Sequence, residues 1–144
     1  MIEGVHLTKL RVFETDGGNV MHGMKKTSNG FSGFGEAYFS HIKKNSIKAW
    51  KRHKLMTLNL IVPVGKIKFV IFDNRDLSCE KFQEVTISKE HYYRLTIPPM
   101  VWVGFQGIFN DESLLLNIAD IEHSPEEIDR LDIDDINYDW SKNI

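Results

Sequence analysis

Turn chemistry breaks the chain roughly every 8 to 12 residues between Val5 and Ala119, which leaves room for short strands and almost none for helices. Val5 to Phe13 alternates loosely and stops at Asp16-Gly17-Gly18-Asn19, and residues 19–35 hold Gly23, Gly30, Gly33 and Gly35 among polar neighbours, as a loop does. Glu36 to Ile42, Ile47 to His53, Met56 to Pro63, Ile67 to Asp73, Phe82 to Ser88, Arg94 to Ile97, Val101 to Ile108 and Leu114 to Ala119 follow as strand candidates. Ser124-Pro125-Glu126-Glu127 is the one convincing helix start, with Pro at the first helical position and acids in the first turn. The spacing predicts an all-β fold, an antiparallel jelly roll with one short C-terminal helix, in a single domain over residues 1–144.

The net charge of -2 and isoelectric point near 6.3 give no bulk electrostatic case for nucleic acid or a membrane surface, so anion recognition has to be local. Lys43, Lys44, Lys48, Lys51, Arg52 and Lys54 crowd residues 41–54 with no acid among them. Acids accumulate instead from Asp120 to Asp139, where Arg130 is the lone Lys or Arg. The single cysteine, Cys79, excludes a disulfide framework and a thiolate metal cluster and fits a reducing cytoplasm. The sequence shows neither a bilayer-spanning apolar run nor an N-terminal signal pattern, and a cytoplasmic protein is expected.

The basic stretch is also where chemistry is expected. In an extended strand, Lys51 and His53 share one face, with Trp50 and Arg52 on the other. If the Lys51 face looks into a barrel mouth, it forms the wall of a site. If it looks outward, it is a basic edge that discourages strand pairing.

Four segments resemble the dTDP-4-dehydrorhamnose 3,5-epimerase family of cupins. Ile97-Pro98-Pro99-Met100-Val101-Trp102-Val103-Gly104-Phe105 is similar to that family's Ile-Pro-x-Gly-x-Ala-His-Gly-Phe, and Ser40 through Lys51 tracks its Ser-x-x-Gly-x-Leu-Arg-Gly-Leu-His. His123-Ser124-Pro125-Glu126-Glu127 and Asp135-Ile136-Asn137-Tyr138-Asp139-Trp140 look like its closing Tyr-x-Pro-x-x-Glu and Asp-x-x-Ile-x-Trp. The resemblance implies a cupin, a homodimer, acting without metal or other cofactor on a nucleotide-linked 4-keto-6-deoxyhexose in cell-surface polysaccharide or deoxysugar biosynthesis. It puts Lys51 where the family has its base His, Lys48 where it has an Arg, and Glu36 where a base-reading Gln occurs. Leu116 lies nearest the family's acid Tyr and Val103 at its second His, while Trp50, Trp102 and Phe105 are placed to flank a sugar or nucleobase. The carboxylate that orients the family's base is expected in a C-terminal extension without a counterpart here.

Epimerisation beside a ketone needs a base, an acid on the opposite face and a holder for the enolate oxygen. Lys51 is a chemically suitable base if burial and neighbouring cations pull its pKa down, and His53 is the other candidate catalytic residue. Tyr38, Tyr92 and Tyr93 are replacement acids; Asn59 is a hydrogen-bonding candidate for the same mouth. A lone His53 does not make a metal site, because His-x-His is broken by Lys51. Two readings stay open: an epimerase or ketoisomerase, and a catalytically degenerate cupin that binds a nucleotide sugar or carbohydrate without turnover.

Overall fold

The computed structural model describes residues 1–142, so positions 143 and 144 of the expected domain lie outside the described residues. Its strands are β1 (His6–Lys9), β2 (Val12–Thr15), β3 (Gly18–Met21), β4 (Glu36–Ile42), β5 (Ile47–His53) and β6 (Leu58–Val64), then β7 (Lys66–Asp73), β8 (Lys81–Ser88), β9 (Tyr93–Ile97), β10 (Trp102–Gly107), β11 (Ser113–Ala119) and β12 (Ile128–Arg130). Two five-stranded antiparallel sheets, ordered β1-β9-β6-β11-β4 and β12-β5-β10-β7-β8, face each other as a jelly roll. The all-β expectation holds.

Period-two alternation makes the interior. Leu58, Leu60 and Val62 of β6 meet Ile67, Phe69 and Ile71 of β7, with Ile87, Leu95, Ile97 and Leu115 closing the core. Burying each of these large side chains contributes about 1.5–3 kcal/mol. A second apolar cluster lies on the outer face of the other sheet, where Ile136 and Trp140 of the C-terminal segment cover Trp50, Val70, Phe72 and Trp102. Lys68 is buried beside it, its ammonium donating to the carbonyls of Trp140 (3.3 Å) and Lys142 (2.9 Å).

Three local expectations are corrected. The run from Val5 to Phe13 is two strands, because β1 joins the large sheet beside β9 while β2 turns away to pair with β3. The loop expected over 19–35 begins only after β3; Arg94 straps it down by donating to the carbonyls of Gly23 (3.0 Å) and Asn29 (2.5 Å). The helix expected at Pro125 is a single 3-10 turn, Pro125–Glu127, because the chain then extends as β12 and pairs Ile128 with His53.

The element that shapes the site is a bulge in β5. Lys51 pairs with Val103 and Lys48 with Phe105, so Ala49 and Trp50 together oppose Gly104 alone. A Cβ on Gly104 would lie 2.7 Å from the Ala49 Cβ and 2.9 Å from the Trp140 ring, so only glycine lets the strands and the tail close here. The extra residue resets the alternation, so Lys48 and Lys51, three apart, both border the space between the sheets.

Candidate active site

A cavity of about 350 Å³ opens between the sheets, within the size range of small-molecule sites. One wall comes from Tyr38 and Ser40 of β4, Leu58 and Leu60 of β6, and Leu115 and Asn117 of β11. The other comes from Lys48, Lys51 and His53 of β5, Val103 and Phe105 of β10, and Arg130 of β12. β5 is flanked by β12 and β10, so it is an interior strand and the edge-strand reading of its lysines is set aside.

His53 is the most firmly held polar group. Its Nδ1 lies 2.5 Å from Glu127 Oε1 and 3.1 Å from Oε2, with both side chains buried. A carboxylate only accepts, so Nδ1 carries the proton and Nε2 is the nitrogen left for a ligand. Burial pushes the imidazole below its ordinary pKa, with help from Lys51 and His123, while the hydrogen bond and charge of Glu127 work against that shift. The arrangement favours a neutral, oriented base.

Lys51 is set differently. Burial pushes its ammonium pKa below the ordinary lysine value, the Arg130 and Lys48 charges push the same way, and Glu127 opposes them. Arg130 is its cross-strand neighbour on β12. Across the cavity, Asn117 and Tyr38 are paired on β11 and β4, and Asn117 Nδ2 donates to the Tyr38 hydroxyl oxygen over 3.1 Å. That bond occupies a lone pair and leaves the phenolic proton free to donate.

Lys48, Lys51, His53, Phe105 and the candidate acid Tyr38 thus meet at one cavity, whereas Glu36, Asn59 and Trp102 lie outside it and Trp50 turns its ring away. Trp50 borders the space, but its indole is buried against Tyr138 and Trp140 and donates to the Ile133 carbonyl (3.2 Å). Trp102 lies in the same outer cluster under the Arg52 guanidinium, 4.6 Å from the ring centre, so neither indole flanks a ligand. Asn59 faces out of the sheet, donating to the Gly30 carbonyl and accepting from Thr96, and so anchors the loop. Glu36 shares the inward parity of Tyr38 and Ser40 but sits at the far end of β4, beside Ala119 and away from the cavity. Among the described residues, no group of three or more His, Cys, Asp and Glu could hold a metal ion.

Sequence reasoning missed Glu127 and Arg130. Both lie where a Pro-led acidic turn reads as a helix start, and a three-residue strand carries too little alternation to be seen. A carboxylate that orients a histidine is nevertheless present within the described chain: Glu127 serves His53.

The chain matches no family model. It is 31% identical to the "Probable low-salt glycan biosynthesis epimerase Agl13" of Haloferax volcanii over 115 residues, 75% of this chain and 74% of that one. The chain belongs to the dTDP-4-dehydrorhamnose 3,5-epimerase family. Among solved structures, a dTDP sugar isomerase from Desulfovibrio desulfuricans G20 is 38% identical, with a TM-score of 0.93 over 99% of this chain and 94% of that one. A family member from Sulfolobus tokodaii, a dTDP-4-dehydrorhamnose 3,5-epimerase, shares the fold at 21% identity and a TM-score of 0.81, over 94% of this chain and 81% of that one.

Proposed function

We propose that this protein is a sugar-nucleotide epimerase or ketoisomerase acting on a dTDP-linked 4-keto-6-deoxyhexose in glycan biosynthesis. The observation that carries the reading is the placement of His53, held by Glu127 of the neighbouring turn, on one sheet and of the Tyr38 hydroxyl on the other. A flat enolate held between them meets a base on one face and an acid on the opposite face, which is what inversion at the carbon beside a ketone requires. His53 Nε2 takes the proton, Glu127 stabilises the imidazolium that forms, and Tyr38 returns a proton from across the cavity. Lys48 and Arg130 supply the positive field for the diphosphate and for charge developing on the ketone oxygen, and Phe105 packs against the sugar or base.

The enzyme names carried by its relatives support this reading. Incubation with dTDP-4-keto-6-deoxyglucose, followed by NMR of the sugar, tests it: a product of changed configuration, or with the ketone moved, is expected. Tight binding with the sugar unchanged after hours would favour a degenerate binding cupin instead.

The same reading includes a homodimer in the cytoplasm. Phe39 (61% exposed) and Phe34 (67% exposed) leave apolar surface beside β4, as a subunit contact does, and exposed Cys79 suits a reducing compartment. No helix among the described residues is long and apolar enough to cross a membrane.

A further inference from the structure

We propose that Lys51 works as a covalent catalyst: its amine forms an imine with the ketone carbon of the substrate, and His53 moves the neighbouring proton. The inference rests on the keto-sugar reading above and adds a bonded intermediate to it. Lys51 lines the cavity among the apolar side chains of Leu58, Leu60, Val103 and Leu115, with Lys48 and Arg130 as its charged neighbours. No carboxylate pairs with its ammonium among the described residues; the nearby acid, Glu127, is bonded to His53. Desolvation and adjacent cations are the two conditions that turn a lysine into an amine nucleophile towards carbonyls, and both bear on Lys51.

The step balances with water alone. The neutral amine adds to the C4 ketone, and the carbinolamine takes a proton and loses water, leaving a protonated imine. That cation acidifies the C–H bond beside it. His53 Nε2 removes the proton, and the C–H electron pair becomes the double bond of an enamine. Tyr38 or solvent returns a proton to the same carbon. One water then adds to the imine carbon and releases Lys51 and the ketone, with no oxidant or reductant consumed. The device favours epimerisation over ketone migration, because an imine that shifted along the ring would leave the nitrogen bonded to the sugar.

Sodium cyanoborohydride, which at neutral pH reduces protonated imines and spares ketones, tests this on the intact protein. With dTDP-4-keto-6-deoxyglucose present, one stable adduct per chain is expected, mapping to the Lys51 peptide. Lys51→Arg, which keeps the charge, should give no adduct there and at least about 10²-fold less turnover. His53→Asn should still form the adduct while turnover falls, which separates imine formation from proton transfer. Turnover by the wild type without any adduct overturns the imine and leaves the epimerase reading standing. Labelling scattered over surface lysines, or undiminished turnover by Lys51→Arg, overturns it equally. Neither turnover nor adduct contradicts both readings together.

Discussion

Glu127 closes on His53 across the β5–β12 seam, Oε1 to Nδ1 at 2.5 Å, and both side chains are buried. A histidine so held has one tautomer and one orientation, which makes the carboxylate a positioning residue for the base. Glu127→Gln keeps the size and replaces the anion with an amide. Turnover is expected to fall by roughly 10²- to 10⁴-fold, with KM changed much less. A steady-state comparison checks this; a variant that loses affinity and keeps kcat would show that Glu127 serves binding instead.

Arg130 sits beside Lys51 and pushes its pKa down, second only to burial. Removing that charge stabilises the protonated lysine, so the pKa of Lys51 rises. If the reaction uses the neutral amine, activity climbs with pH as Lys51 loses its proton. The rising limb of kcat against pH in Arg130→Gln should therefore move to higher pH than in the parent. Lys48 and Glu127 face Lys51 as well: Lys48→Gln should shift the limb in the same direction by a smaller amount, while neutralising Glu127, whose negative charge raises the lysine pKa, contributes a shift to lower pH. An unmoved limb in Arg130→Gln would show that the proton set by pH is not on Lys51.

Gly104 is where the bulge, the neighbouring strand and the C-terminal tail meet. Gly104→Ala puts a methyl into the Ala49 Cβ and the Trp140 ring, an overpacking that costs about 1–3 kcal/mol. Trp140→Ala removes the tail's main contact with Trp50 and should cost about 3–5 kcal/mol. Denaturant melts read both. Equal stability of Gly104→Ala and the parent would mean that the bulge has room that the packing does not show.

Much of the fold was legible because alternation and turn chemistry agree. β4 and β5 run over the residues expected, and the hairpin of β6 and β7 shifts by a residue or two at its ends. The pocket was legible in part. A strand read without its bulge puts Lys48 on the face of Trp50, so the meeting of Lys48 with Lys51 follows from the extra residue opposite Gly104, which no local pattern announces. Trp50 and Trp102 look like ligand-stacking rings because they stand among cations, yet their partners, Ile136, Tyr138 and Trp140, arrive from the far end of the chain. Glu127 was hidden for the same reason: its role depends on a strand pairing 74 residues distant, while its neighbourhood reads as a helix start.

The central claim is that this cavity moves a proton at the carbon beside a ketone, with His53 as the base. Solvent deuterium wash-in reads that step directly. In D2O, dTDP-4-keto-6-deoxyglucose incubated with the wild type should gain deuterium at a ring carbon flanking the ketone, and with His53→Asn it should gain it roughly 10²- to 10⁴-fold more slowly. Wash-in no faster with the wild type than without protein, or unchanged in His53→Asn, would contradict the account.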